Sequence, residues 1–83
     1  MRASLLNEIE ETVVSAIEMH TAYRPTREDF AKPLKHFGLT SVQGMLLIGE
    51  LEDTYNIDVQ HDFLLGNDTL AAFSQRIYEL VKG

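Results

Sequence analysis

The sequence predicts an all-α protein, a small four-helix bundle with a long connector between helices one and two and a short third helix. Apolar residues recur at helical spacing in three long segments, and residues that favour helix starts precede these segments. The 83 residues are 45% hydrophobic and 24% charged. This composition fits a single domain over residues 1–83 with a modest core.

Helix one is predicted from about Ala3 to His20, with Ser4 as a cap at its start. Several acidic side chains occupy its polar side, mostly in the half where the helix dipole favours them. The apolar stripe comprises Leu5, Leu6, Ile9, Val13, Val14 and Ile17.

The connector runs from Thr21 to Phe37, contains both prolines and shows no sustained periodicity. One helical turn is predicted to begin at Thr26, whose spacing to Asp29 resembles a capping pair. An ordinary ordered loop is the alternative. The side chains expected to attach the connector to the core are Phe30, Leu34 and Phe37.

Helix two is predicted to start at a capping box, with Thr40 as N-cap and Gln43 bonding back to the Thr40 backbone N–H. Asn56 is expected to end it in a left-handed conformation. A helical wheel assigns the core face to Gly44, Leu47, Ile48, Leu51 and Tyr55. The other side carries Val42, Met45, Leu46, Gly49, Glu52 and Asp53.

This second side combines apolar and acidic groups, which suggests a surface for docking other proteins. The alternative is that Val42, Met45 and Leu46 are core residues covered by the connector or by the third helix.

After helix two, Ile57 and Val59 are expected to point inward from an extended loop, because one isolated strand would have no partner. Asp62–Leu65 is predicted as the short third helix, ended by Gly66. Asp68 or Thr69 caps the fourth. Its buried stripe is predicted to comprise Leu70, Phe73, Ile77, Leu80 and Val81.

Composition excludes several classes of function. The chain has no cysteine, so disulfides, thiolate metal sites and cysteine nucleophiles are absent. A formal charge of −6 disfavours binding to nucleic acid and to anionic lipid. The N-terminus lacks the features of a secretion signal, and no apolar run approaches the ~20 residues that would span a bilayer. We therefore expect a cytoplasmic protein without a membrane span.

Charge is unevenly distributed along the chain. The acidic span contains Glu50, Glu52, Asp53, Asp58, Asp62 and Asp68, and the connector contains Arg24, Arg27, Lys32 and Lys35. The acidic span is predicted to attract partners with basic surfaces and the connector to attract anions. Ordinary solvated surface is the alternative for both.

No catalytic or metal-ligating set is predicted. A hydrolase triad of Ser41 with His36 or His61 would need an oxyanion hole and a substrate pocket. A domain of this size is not expected to supply them. The three histidines share no ligand spacing and are expected at the surface, and Asp58 and Asp62 lack the rest of a calcium loop.

The segment Gly38-Leu39-Thr40-Ser41-Val42 resembles the modification site of acyl and peptidyl carrier proteins, which reads Gly-x-Asp-Ser-Leu before a helix. The resemblance extends from about Leu34 to Val81 and implies that Ser41 carries covalent 4′-phosphopantetheine. A phosphate ester is also favoured physically at a helix start, where free N–H groups and the dipole attract anions. Thr40 departs from the family Asp, which commonly contributes to recognition by the modifying transferase.

The resemblance implies a free-standing, monomeric carrier protein of acyl-carrier-protein type that is not an enzyme. It would hold an acyl or aminoacyl group as a thioester for a fatty acid, polyketide or nonribosomal peptide pathway. Its partners would be a phosphopantetheinyl transferase and the enzymes that load and process the cargo. The expected docking surface, weak and salt-sensitive, comprises Val42, Met45, Leu46, Glu50, Glu52 and Asp53.

Helix two starts with fewer acids than is common in carriers of fatty acid synthesis, which favours a dedicated polyketide, peptide or amino acid pathway. An unmodified adaptor that keeps the carrier fold and binds proteins through helix two is the alternative, and Thr40 is its best support.

Overall fold

The computed structural model describes residues 4–59 and 68–83. In these ranges the chain forms three α-helices and no strand: α1 (Leu5–Thr21), α2 (Ser41–Tyr55) and α3 (Leu70–Lys82). The all-α prediction is therefore confirmed. The predicted short helix Asp62–Leu65 and Gly66 lie outside the described residues, so the four-helix arrangement stays a prediction.

Helix α1 begins where predicted, because the Ser4 side chain accepts a hydrogen bond from the Asn7 backbone N–H at 3.1 Å. It ends at Ala22, which adopts a left-handed conformation. The residues that α1 buries are Ile9, Val13, Val14 and Ile17. The prediction was wrong for Leu5, which is 37% exposed. A four-residue repeat drifts by about 40° per step around a helix, so Leu5 falls at the edge of the buried arc.

Two short 3-10 helices lie between α1 and α2, at Arg27–Ala31 and Leu34–Phe37. The first starts at the predicted Thr26–Asp29 capping box, whereas the second was not predicted. The three expected anchors are all buried in the core: Phe30, Leu34 and Phe37. The segment is therefore attached to the core at several points rather than looping freely through solvent.

Asp29 is the polar centre of this segment and is buried. One carboxylate oxygen accepts hydrogen bonds from the Thr26 backbone N–H at 2.8 Å and the Tyr23 hydroxyl at 2.6 Å. The other lies 3.0 Å from the Lys32 ammonium. The Thr26 backbone N–H, followed by the Tyr23 hydroxyl and Lys32, holds the pKa of the Asp29 carboxyl well below its usual range.

A short antiparallel bridge joins the same segment to the start of α3. The Leu34 N–H donates to the Asp68 carbonyl at 2.9 Å, and the Leu70 N–H donates to the Lys32 carbonyl at 3.0 Å. Of the two candidate caps, Thr69 is the one used, since its hydroxyl accepts from the Ala72 N–H at 3.0 Å.

Helix α3 buries Leu70, Phe73, Ser74 and Ile77. The prediction was wrong for Leu80, which is 39% exposed, whereas Val81 packs against the core. Helical spacing explains the difference, because Val81 lies near the middle of the arc that the other residues bury and Leu80 lies at its edge.

Helix α2 ends at Asn56, as predicted. Asn56 is left-handed, with φ of 55°, and its N–H caps the helix by donating to the Glu52 carbonyl. In the segment that follows, Val59 is buried and Ile57 packs partly buried against the core. The core therefore draws on all three helices, the two 3-10 helices and the segment after α2.

Candidate functional site

Ser41 is the first residue of α2 and is exposed. The chain reaches it through Gly38, which has a left-handed φ of 79° and ends the second 3-10 helix. A side chain at Gly38 would meet open space, so the conformation and not crowding favours glycine there. The N–H groups of Ser41 and Val42 start the helix and have no acceptor within it.

The capping box holds the start of α2 in place. The Gln43 N–H donates to the Thr40 hydroxyl at 3.1 Å, and the Thr40 N–H donates to the Gln43 side-chain oxygen at 3.0 Å. The amide nitrogen of the same Gln43 side chain donates to the His20 carbonyl at 2.9 Å. One side chain therefore completes the cap and links the start of α2 to the last turn of α1.

His20 is a residue whose contribution sequence reasoning missed. It was expected at the surface, but its side chain is only 14% exposed and its Nε2 lies 3.2 Å from a Glu50 carboxylate oxygen. His36 is exposed as expected, and His61 lies outside the described residues. The contact partner of His20 is 30 positions away in the sequence, so no local signal could have revealed it.

The opposite side of α2 packs into the protein. The buried residues are the ones that the wheel assigned to the core: Gly44, Leu47, Ile48 and Leu51. Tyr55 is partly buried, and its hydroxyl lies 2.8 Å from the Thr12 hydroxyl of α1. Packing and this hydrogen bond together set how α2 is rotated against α1, which keeps Ser41 at the surface.

Val42, Met45 and Leu46 are exposed by 67%, 54% and 53%. The connector therefore does not cover these side chains, and the alternative in which the third helix covers them falls on residues outside the described ranges. Together they form an apolar surface on the first turns of α2, directly after Ser41. Apolar side chains grouped in this way are typical of interaction sites.

The three acidic side chains expected beside this surface differ in what they contact. Glu50 pairs with His20. Glu52 is half-buried and accepts a hydrogen bond from the Val59 N–H at 2.9 Å. Asp53 is exposed and makes no hydrogen bond or ion pair with the described part of the chain.

The basic side chains of the connector mostly contact acids within the chain. Arg24 pairs with Glu11 and Glu18 of α1, at 2.6 and 3.1 Å. Arg27 pairs with Glu10 at 3.3 Å. Lys32 pairs with Asp29. Arg24 and Arg27 thus hold the connector to α1, and Lys32 is paired within the connector; these ion pairs argue against an anion-binding site there.

Ser41 fits the attachment of a phosphate-linked group. The hydroxyl lies at a helix start where free N–H groups and the dipole favour an anion, and the first turn of α2 carries no acid to repel one.

Residues 4–59 and 68–83 contain no helix long and apolar enough to cross a membrane. The same ranges contain no cluster of side chains suited to hold a metal ion.

Comparisons with curated proteins and with solved structures find no match. The family model described as the phosphopantetheine attachment site matches residues 7–77, most of the chain. Domains of this family are carriers and not catalysts, and they bind 4′-phosphopantetheine covalently on a serine. The chain therefore belongs to the phosphopantetheine attachment family, as a carrier protein whose cofactor is 4′-phosphopantetheine.

Proposed function

We propose that Ser41 is the serine that carries the phosphopantetheine group. The observation that carries this proposal is its location, exposed at the first residue of an α-helix. A substituent there can extend into solvent without disturbing the core. Its phosphate would lie next to N–H groups that have no other acceptor within the helix.

The other serines of the chain are poorer candidates. Ser74 is fully buried, so an enzyme could not reach it without unfolding the protein. Ser4 already caps α1 and precedes the matched residues 7–77. Ser15 lies within α1, where the backbone N–H groups bond along the helix and none is free for a phosphate.

The residues around Ser41 would position the group and expose it. Thr40 and Gln43 hold the helix start, and Gln43 also ties it to α1. When bound, phosphopantetheine supplies a thiol that holds the cargo as a thioester. Tethering raises the effective concentration of the cargo at each enzyme that docks.

The partners that fit this proposal are a phosphopantetheinyl transferase and the enzymes that load and process an acyl or aminoacyl group. The proposed docking surface is the exposed side of α2, on which Val42, Met45 and Leu46 lie next to Ser41. Asp53 lies on the same side, with Glu50 and Glu52 at its edges.

A dedicated polyketide or nonribosomal peptide pathway fits this chain better than fatty acid synthesis. Carriers of fatty acid synthesis commonly have carboxylates at the front of this helix, whereas this chain has Gln43, Gly44 and Leu46 there and no acid in the first turn. Loading assays on the modified protein with acyl-loading and aminoacyl-loading enzymes would distinguish the cargo classes.

The proposal is tested by incubating the purified protein with coenzyme A and a broad-specificity phosphopantetheinyl transferase, then measuring intact mass. We expect one phosphopantetheinyl group on the natural protein and none on Ser41→Ala. Addition that persists in Ser41→Ala would contradict the assignment. No addition to either protein would favour the unmodified adaptor that binds partners through α2.

A further inference from the structure

His20 contacts α2 at two places. Its backbone carbonyl accepts a hydrogen bond from the Gln43 side-chain amide at 2.9 Å, and its ring Nε2 lies 3.2 Å from a Glu50 carboxylate oxygen. Gln43 and Glu50 are seven positions apart, which places them two turns apart on the same side of the helix. One residue of α1 therefore holds α2 both at its start and about 10 Å further along its axis.

The contact through the His20 ring can carry a charge that the contact through its carbonyl cannot. Histidine changes charge between about pH 5 and 8. A neutral ring can donate one hydrogen bond to Glu50, whereas a protonated ring adds an attraction between opposite charges. The His20 side chain is 14% exposed and that of Glu50 is 46% exposed. Water and salt therefore screen this pair less than a fully exposed one.

Two features of the fold favour the charged ring, and one opposes it. His20 lies in the last turn of α1, where the negative end of the helix dipole attracts a cation, and Glu50 supplies a carboxylate from α2. Partial burial of the ring opposes its protonation. The other charges near this end of α1 are Glu18 on the same helix and Arg24 of the connector, which pair with each other at 3.1 Å. Glu50 is therefore the charged group through which α2 responds to the ring.

From this geometry we infer that His20 is a proton-sensitive contact, which holds the start of α2 more firmly against α1 when its ring is charged. The stabilisation is largest in mildly acidic solution, where histidine is protonated and carboxylates remain ionised, and it decreases as the pH rises and the ring loses its proton. Because Ser41 begins α2, the firmness of the candidate site follows the same dependence. The inference does not depend on whether Ser41 is modified.

Melting temperatures of a double-mutant cycle test the inference. The natural chain, His20→Gln, Glu50→Gln and the double variant are compared at about pH 5.5 and about pH 8. Glutamine can still form hydrogen bonds and favours helices, so the variants are expected to fold. The other histidines, His36 and His61, are present in all four proteins, and their titration cancels in the comparison.

Glu11→Gln is the matched control. Glu11 lies 2.6 Å from Arg24, whose guanidinium stays charged at both pH values. The variant therefore removes a carboxylate from an ion pair whose cation does not titrate. Its loss of melting temperature should be the same at both pH values.

We expect Glu50→Gln to lower the melting temperature of the natural chain by about 3–6 °C more at about pH 5.5 than at about pH 8, as for one partly buried ion pair in a domain of this size. In the His20→Gln background, the loss caused by Glu50→Gln should agree at the two pH values to within about 1 °C. The pH-dependent part of the loss then belongs to the pair.

Amide exchange in the natural chain and in His20→Gln reports on the start of α2 directly. The Gly44 N–H donates to the Thr40 carbonyl at 2.8 Å, in the first turn of the helix. Its protection factor, which corrects for the intrinsic effect of pH on exchange, should be about threefold higher at about pH 5.5 than at about pH 8 in the natural chain. In His20→Gln it should not change.

The inference is overturned if the loss on Glu50→Gln is no greater at acid pH, or if its pH dependence persists without His20. A protection factor of Gly44 that is equal at the two pH values, or that changes equally in His20→Gln, would also overturn it. The exchange measurement decides the question even if Glu50→Gln does not fold. All of these readouts use the unmodified protein, so none of them bears on the assignment of Ser41.

Discussion

The Gln43 side-chain amide donates a hydrogen bond to the His20 backbone carbonyl at 2.9 Å. This contact joins the last turn of α1 to the first turn of α2. The oxygen of the same amide accepts from the Thr40 N–H, so one side chain serves both the helix cap and the contact between helices. The start of α2, and Ser41 with it, is held by a residue that resembles an ordinary cap in the sequence.

Replacing Gln43 should therefore lower the free energy of unfolding by more than the loss of a helix cap alone would. Gln43→Ala is expected to lower the free energy of unfolding by about 1–2 kcal/mol, because the amide interactions with Thr40 and His20 are both lost. Gln43→Glu keeps an acceptor for Thr40 but cannot donate to His20, so its loss should be smaller. Urea unfolding followed by circular dichroism measures both losses, and a Gln43→Glu variant as stable as the natural protein would contradict the role of the interhelix contact.

Substitutions at Thr40 distinguish its role in capping α2 from the role of this position in recognition by the transferase. Aspartate caps helices about as well as threonine, so Thr40→Asp should leave the free energy of unfolding within about 0.5 kcal/mol, whereas Thr40→Ala should lower it by about 1 kcal/mol. Thr40→Asp also introduces the residue that the carrier motif has at this position, and we expect a higher kcat/KM for modification. A kcat/KM no higher than that of the natural chain would show that the transferase does not need the acid.

Asp29 should make stability depend on acid pH. Its folded-state pKa is lowered, chiefly by the Thr26 backbone N–H, so it stabilises the fold above the unfolded-state pKa of about 3.9. That contribution is lost progressively as the pH falls below this value. The melting temperature of Asp29→Asn should be well below that of the natural protein at neutral pH, and the gap should narrow in acid. A gap that stays constant from neutral pH down to about pH 2 would contradict this account.

The buried hydroxyl of Ser74 is expected to destabilise the folded protein. It is fully buried in α3, and its hydroxyl has no hydrogen-bond partner among the described residues. Ser74→Ala should raise the free energy of unfolding by about 1 kcal/mol or more, because it removes an unpaired buried polar group and improves helix propensity. Ser15→Ala, at an exposed site in α1, is the control for helix propensity, although it also removes one long hydrogen bond, at 3.5 Å, from Arg24. A gain at Ser74 no greater than the gain at Ser15 would contradict the interpretation.

Features set by near neighbours in the chain were predictable from the sequence. Thr40 with Gln43 and Thr26 with Asp29 are three residues apart, and the cap geometry follows from the backbone itself. Asn56 likewise ends α2 through its own left-handed conformation. Because Ser41 directly follows such a cap, the candidate attachment site could also be predicted from the sequence.

Features set by distant contacts were not predictable. His20 is covered because Glu50 and Gln43 meet it across the fold. Leu5 and Leu80 share the periodicity of their buried neighbours, but they lie at the edges of their stripes, and periodicity alone does not show how wide a face is covered. The same limit applies to Glu52, whose contact with the Val59 N–H depends on the course of the chain after α2.

The location of the attached group tests the central claim most directly. Trypsin is expected to release residues 36–76 as one peptide, which contains both Ser41 and Ser74. Fragment masses of this peptide from the modified protein should assign phosphopantetheine to Ser41, with Ser74 carrying nothing. Phosphopantetheine found on Ser74, Ser15 or Ser4, with Ser41 unmodified, would contradict the account.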